Sequence, residues 1–292
     1  MEIRVILRGA LSGFLAGALA FVFAKIFAEP QIDKAIAYEA GRDEVLARLE
    51  KAAGHAAGGE EAEIFSRHVQ STLGLASGLV AFGTAMGALI AVAYVVLHGR
   101  TRVRPRTLAL LITGFGFLGV FALPFVKYPA NPPAIGHSFT ITTRGHLYLA
   151  MVAGSLVLLA LAAYLGHRLR DRFGVFNASL LAGAAFLVAF GVLLAVLPSF
   201  GDLAANLAHQ HDVGFTRSST ETPGPVLDPQ GRIAYPGFPA DVLWKFRWYA
   251  LVNQLLLWTA TGLAFGVLLE RYLRPRGSEV APATTDSPVA VS

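Results

Sequence analysis

The stretch GALSGFLAGALAFVFAKIFA, residues 9–28, decides the class of fold, because it holds a single charged side chain, Lys25. A hydrocarbon core about 30 Å thick is crossed by a helix of roughly 20 apolar residues. Gly9, Gly13 and Gly17 recur at every fourth position and so share one helix face, which lets a second helix approach closely. A cleaved signal peptide has no use for such a face, and we expect this segment to be retained as a membrane span.

Five more stretches of comparable length and hydropathy follow along the chain. The sequence therefore predicts an all-α integral membrane bundle of six transmembrane helices, with spans at about residues 9–28, 72–97, 107–126, 145–166, 177–197 and 248–269. We expect residues 1–274 to form this membrane domain, with long outer loops at residues 29–71 and 198–247. Residues 275–292 are small, polar and Pro-containing, which predicts a disordered cytoplasmic tail.

The composition agrees with a membrane protein and excludes several kinds of site. Hydrophobic residues make up 54% of the 292 residues and charged residues only 15%, with a mean hydropathy of +0.55. Soluble domains carry about 25% charged residues. There is no cysteine, which excludes disulfides, thiolate metal ligands and cysteine nucleophiles. Any metal site must use imidazole, carboxylate, amide or backbone oxygen.

The basic residues give the orientation of the spans, since cytoplasmic loops are enriched in Lys and Arg. Arginines lie before the first span, in the second-to-third and fourth-to-fifth loops, and after the last span: Arg4, Arg8, Arg100, Arg102, Arg104, Arg106, Arg168, Arg170, Arg172, Arg271, Arg274 and Arg276. These positions share one side of the membrane, so we expect both termini in the cytoplasm. The outer loops are then acidic, and the net charge of +5 does not indicate nucleic-acid binding.

The two long outer loops differ in pattern. In the first loop, Ile32, Ile36 and Leu46 are spaced as on one face of a helix, which predicts an amphipathic helix lying on the membrane or against the bundle. The second loop has several Pro-Gly pairs and no strong periodicity, which predicts an irregular lid with a short helix at most.

Carboxylates in the first outer loop are the first candidates for metal contact. Glu29 and Asp33 are four residues apart on one helix face, and Glu39 follows in the same segment. Carboxylates at this spacing can supply oxygen ligands to a divalent cation. The alternative is a solvated helix face in which Lys34 and Arg42 form the salt bridges.

A second candidate set lies in the sequence AHQHD of the second outer loop. His209, His211 and Asp212 offer imidazole and carboxylate, which suit Co²⁺, Ni²⁺ or Zn²⁺. Residues at i and i+2 share one side only in an extended strand. The pair would chelate a metal only if the loop is extended here, and otherwise it is a solvated loop.

Polar residues within the spans are candidates for a transport path or for contacts between helices. His146 lies near the start of the fourth span, either within the hydrocarbon or at headgroup level. Asn253 and Gln254 lie in the sixth span, where an amide must find a partner in the bundle. No phosphate-binding loop, HExxH or GxSxG motif is present, and we therefore expect no enzymatic activity.

Four segments together resemble the CbtA family of predicted cobalt transporter subunits, and they cover most of the chain in the family's order. They are LRGALSGFLAGALAFVFAKIFAEPQIDKAIAYE (residues 7–39), SRHVQSTLGLASG (66–78), PFVKYPANPPAIG (124–136) and FPADVLWKFRWYALVNQLLLWTATGLAFG (238–266). The resemblance implies uptake of cobalt or another divalent cation beside a small His-bearing membrane partner of the CbtB kind. The matched polar positions are Glu29, Gln31, Asp33, Glu39, Lys127, Tyr128, Asn131, Asp241 and Arg247.

The leading expectation is therefore a multi-pass subunit in the bacterial cytoplasmic membrane that takes up a divalent cation, with cobalt as substrate, for cobalamin biosynthesis. The cation is the transported substrate, and no cofactor is expected. The expected partners are membrane lipid, the cation and the CbtB-like subunit. The alternative is a non-transporting scaffold or assembly subunit, in which the glycine faces serve docking.

Overall fold

The structure, a computed structural model, describes residues 2–54, 66–101 and 103–273. Within these residues, five helices are long and apolar enough to cross a membrane. The fourth and fifth predicted spans fall within one of these helices. The predicted disordered tail, residues 275–292, lies outside the described residues.

The described residues form six α-helices and one small β-hairpin. The helices are α1 (Glu2–Ala52), α2 (Arg67–Leu97), α3 (Pro105–Lys127), α4 (Ile141–Val196), α5 (Ala204–Ala208) and α6 (Ala240–Leu273). Strands β1 (Val226–Leu227) and β2 (Ile233–Tyr235) pair antiparallel, and single 3₁₀ turns occur at Ser138–Thr140 and Phe200–Asp202. The all-α class thus fits the membrane part, while the second outer loop contains a hairpin that was not predicted.

Helix α1 continues through Pro30, beyond the predicted end of the first span at residue 28. A short π-helical stretch, Ala24–Ala28, ends two residues before Pro30, and a similar stretch, Phe117–Ala122, ends two residues before Pro124 in α3. A proline lacks the N–H and crowds the carbonyl four residues earlier, and a π turn accommodates both effects. Helix α1 therefore continues for 51 residues, about 77 Å at 1.5 Å per residue. The helix predicted in the first outer loop is an extension of the first span.

The glycine face of α1 packs against a glycine face of α2. A Cβ on Gly13 would collide with the backbone of Gly83, and one on Gly9 would collide with the carbonyl of Gly87. The residue number rises along α1 while that of its contact on α2 falls, so the two helices are antiparallel. The close approach expected for Gly9, Gly13 and Gly17 is confirmed. Gly78 of α2 lies outside this contact, because a Cβ there would meet nothing within 4 Å.

Helix α6 packs between α1 and α3 and completes the centre of the bundle. Its Leu257, Phe265 and Leu269 are fully buried, in one core cluster with Tyr94 of α2. On the α3 side, a Cβ on Gly262 would lie 3.0 Å from the Thr113 side chain.

Helix α4 is a hairpin of two arms, because Gly174 in its middle has a non-helical backbone (φ 75°, ψ 166°). We call residues 141–173 the first arm and residues 175–196 the second arm. Gly154 faces Leu193, and Gly166 faces the Cβ of Ala182, so the arms lie antiparallel. A positive φ is accessible to glycine at little cost, and this residue permits the reversal.

The arginines predicted to flank the spans gather at one end of the bundle. The guanidinium of Arg8 lies 4.0 Å from the centroid of the Tyr272 ring, and Arg106 lies 3.8 Å from Glu270. These contacts join the start of α1, the start of α3 and the end of α6. The opposite end, here called the outer end, carries residues 29–54, 128–140 and 198–239.

Candidate functional site

The outer end is held together by hydrogen bonds between α1 and the segment between α4 and α6, residues 198–239, which we call the lid. The Tyr38 hydroxyl donates to the carbonyl of Pro236 (2.9 Å), and the Tyr235 hydroxyl donates to the carbonyl of Tyr38 (3.2 Å). Arg42 donates to the carbonyl of Gly214 (2.6 Å). The lid is therefore anchored along the extension of α1.

Glu29 and Asp33 do lie side by side, but both carboxylates face the guanidinium of Arg67 at the start of α2. Glu29 is 5% exposed and forms an ion pair with Arg67. The Arg67 guanidinium also donates to Asp33 from Nη2 (2.9 Å) and from Nε (3.2 Å). The salt-bridge partner is Arg67, not Lys34 or Arg42 as the alternative interpretation assumed. This carboxylate pair already has a counterion from within the chain.

Glu39 has a different environment, since it lines two adjoining cavities between α1 and the Pro-rich segment after α3. The larger cavity, about 430 Å³, is also lined by Asn131 and Arg144. The smaller, about 50 Å³, is lined by Asp43 and His137. Arg42 also lines the smaller cavity and acts on both carboxylates through its charge, but among the described residues no ion-pair contact to Glu39 or Asp43 is formed.

The pKa of Glu39 is raised from 4.5 to about 7, mainly by burial and next by the negative charge of Asp43, while the positive charge of Arg42 opposes both effects. Burial also raises the pKa of Asp43. Two carboxylates one helical turn apart therefore resist ionisation, although the nearby Arg42 offsets part of this effect. A bound cation would relieve this repulsion.

Asn131 borders the larger cavity, but its amide is already occupied by protein partners. Its Nδ2 donates to the carbonyl of Thr220 (2.6 Å), and its Oδ1 accepts from Nη2 of Arg247 (2.9 Å). Arg247 also donates to the carbonyl of Ala130 (3.2 Å). Asn131 thus joins the Pro-rich segment, the lid and the start of α6.

Glu221 in the lid is a buried carboxylate that the sequence analysis did not single out. It is 2% exposed and has a positive φ of 55°. It accepts hydrogen bonds from the Thr140 hydroxyl (2.9 Å), the His137 backbone N–H (3.0 Å) and Nδ2 of Asn206 (2.6 Å). Nε of Arg144 lies 3.4 Å away. These contacts attach the lid to the start of α4.

The histidines of AHQHD are separated by the structure. His209 stacks on Phe139 with ring centroids 4.2 Å apart, and its Nδ1 lies 2.8 Å from the Ala205 carbonyl. His211 and Asp212 are exposed. Throughout the described residues, there is no group of three or more His, Cys, Asp or Glu side chains that could hold a metal ion.

The polar residues predicted within the spans occupy three different environments. His146 is exposed on the surface of the first arm of α4. Asn253 is buried in α6, and its Oδ1 has no hydrogen-bond partner in the described part of the chain. Gln254 accepts a hydrogen bond from Nε1 of Trp258 one turn further along the helix (3.2 Å). The structure does not bring these three side chains together.

Comparison with known proteins gives one match. The model of a family described as "Probable cobalt transporter subunit (CbtA)" matches residues 2–270. No curated protein and no solved structure matches the chain.

Proposed function

The chain belongs to the CbtA family of probable cobalt transporter subunits, and from that premise we propose that it is the membrane subunit of a divalent-metal uptake system whose substrate is cobalt. The imported metal would supply cobalamin biosynthesis. A multi-pass membrane location agrees with the five long apolar helices.

The proposed topology has six crossings of the bacterial cytoplasmic membrane, with both chain ends inside. Two features support it: the antiparallel arms of α4, and the gathering of arginines at the end opposite the lid. Each arm is long enough for a core about 30 Å thick, which roughly 20 helical residues span. The acidic outer end would then face the incoming cation.

The proposed first contact for the cation is the carboxylate pair of Glu39 and Asp43. The observation that carries this assignment is a half-buried carboxylate in a cavity at the outer end, next to a second carboxylate and without an ion pair. Glu29 and Asp33 are a poorer choice, because the Arg67 guanidinium already forms an ion pair with each of them.

A His-bearing membrane partner of the CbtB kind is proposed to complete the ligand set. The family description calls the protein a subunit. Two carboxylates alone leave open positions on a transition metal, for which imidazole is a preferred ligand. His137, which lines the smaller cavity, has its Nδ1 2.7 Å from Oδ1 of Asn206.

Uptake of radiolabelled cobalt in cells that express the chain with the partner tests the proposal. The double variant Glu39→Gln, Asp43→Asn should lower uptake about tenfold or more at equal protein level, because both anionic ligands are lost while side-chain volume is kept. The matched control is Glu44→Gln, since Glu44 lies on the same helix but is exposed and paired with Arg48. It should keep wild-type uptake.

Two outcomes would contradict the proposal. Absence of metal-dependent uptake with and without the partner would favour the scaffold alternative. Equal uptake by the double variant and the control would exclude the Glu39 and Asp43 pair as the entry site.

A further inference from the structure

A wide groove at the arginine-rich end, between the start of α1 and the end of α6, is not used by the proposed transport site. Its volume is about 710 Å³, and its mouth is formed by Arg4, Arg8 and Arg271. Among the described residues, none of the three guanidinium groups forms an ion pair. The groove therefore presents three guanidinium groups that no carboxylate of the described residues contacts.

The deeper part of the groove is apolar. Leu7, Leu11 and Leu268 line it together with the Tyr272 ring. Leu7 is 61% exposed and Leu11 50% exposed, so both present open apolar surface beside the arginines. Positive charge at the mouth above an apolar wall is complementary to one class of molecule, an anionic phospholipid.

Arg8 is held in position for such a ligand. Its Nη1 donates to the carbonyl of Arg4 one turn earlier (2.6 Å), and its guanidinium plane covers the Tyr272 ring at 4.0 Å. A guanidinium fixed by stacking loses less side-chain entropy when its remaining N–H groups bind a phosphate. Arg4 and Arg271 are exposed on either side of it.

We propose that this groove is a binding site for an anionic phospholipid, with the phosphate on Arg4, Arg8 and Arg271 and an acyl chain along Leu7, Leu11 and Leu268. The site joins the first and last membrane helices, so a bound lipid would stabilise their contact. The inference does not depend on which metal the protein transports.

The test uses the purified full chain in detergent, with phosphatidylglycerol or phosphatidylcholine added, and measures the melting temperature and the lipid adducts in native mass spectra. The wild type should gain thermal stability and retain lipid with phosphatidylglycerol only. The variant Arg4→Gln, Arg271→Gln should bind phosphatidylglycerol about tenfold more weakly. The control Arg168→Gln, Arg170→Gln removes the same charge from the same end and should respond as the wild type does.

Three results would overturn the proposal. The first is an equal rise in melting temperature with phosphatidylglycerol and with phosphatidylcholine. The second is an equal loss of phosphatidylglycerol binding in the variant and in the control. The third is a rise in melting temperature with inorganic phosphate alone that equals the rise with phosphatidylglycerol. If the variant Arg4→Gln, Arg271→Gln has a lower melting temperature than the wild type without lipid, the number of phosphatidylglycerol molecules bound per chain still tests the proposal.

Discussion

Glu29 and Glu39 lie ten residues apart on one helix, yet their surroundings differ in the feature that matters for binding a cation. Glu29 is buried against the guanidinium of Arg67, so its charge is balanced within the protein. Glu39 is only partly buried, has no ion pair among the described residues and faces Asp43. A carboxylate with an unbalanced charge gains more from a divalent cation than one already paired.

The raised pKa of Glu39 predicts a specific pH dependence of stability. Because its pKa in the folded protein is near 7 and its ordinary value is 4.5, the folded state holds the proton more tightly. Ionisation of Glu39 therefore destabilises the folded state. This destabilisation is absent below pH 4.5, grows as the pH rises and is complete above about pH 7. Glu39→Gln should therefore raise the melting temperature above pH 7 by about 2–4 °C, with a shrinking effect toward pH 5, as measured in detergent without metal.

Glu44→Gln is the control for this measurement, and its effect should not vary with pH in the same way. A stabilisation by Glu39→Gln of equal size at pH 5 and pH 8 would show that ionisation of Glu39 is not the cause. Added cobalt should reduce the difference at high pH, because the cation compensates the charge of the wild-type carboxylate.

The elements of the bundle owe their arrangement to small residues and to proline. Gly13 and Gly83 allow α1 and α2 to touch backbone to backbone. Pro30 follows a π-helical stretch and so fails to end α1. The spacing rule that predicted close contact is confirmed at the glycine face of α1. The π-helical hydrogen bonding before Pro30 lets α1 run beyond the predicted end of the first span.

Alanine substitutions should lower the stability of the protein at a glycine in the helix contact and leave it nearly unchanged at an exposed glycine. Gly13→Ala should destabilise the protein by about 1–3 kcal/mol, since the new Cβ would overlap the Gly83 carbonyl and force the two helices apart. Gly78→Ala on α2 is the matched control, because nothing lies within 4 Å of its Cβ. It should be neutral or stabilise slightly, as expected for Gly→Ala in a helix. Thermal unfolding in detergent measures both, and equal effects would contradict the interface.

At the scale of the whole molecule, the reversal at Gly174 is the feature on which the proposed six crossings of the membrane depend. A straight α4 of 56 residues would be about 84 Å long, far more than a bilayer. The contacts of Gly154 with Leu193 and of Gly166 with Ala182 fold it in two. The turn between the arms then lies at the same end as the other arginine-rich segments.

Because the chain contains no cysteine, single cysteines can report this topology directly. Ser219→Cys in the lid should react with a membrane-impermeant maleimide on intact cells. Asp171→Cys near the turn, where the native side chain is 89% exposed, should react only after the membrane is permeabilised. Two results would contradict six crossings with both ends in the cytoplasm. One is labelling of Asp171→Cys on intact cells, and the other is that neither cysteine is labelled on intact cells.

The sequence alone determined the all-α membrane class, the family, the acidic and basic ends and the glycine face of α1. The class, the charged ends and the glycine face follow from hydropathy, charge and spacing within about 20 residues, which local chemistry governs. The family follows from the resemblance carried by the four matched segments. Only the tertiary structure decided that Arg67 neutralises Glu29, that Glu221 lies buried with Thr140 and Asn206, and that α4 folds back at Gly174. These pairings join residues far apart in the chain, and whether a carboxylate is balanced depends on which distant side chain the fold places beside it.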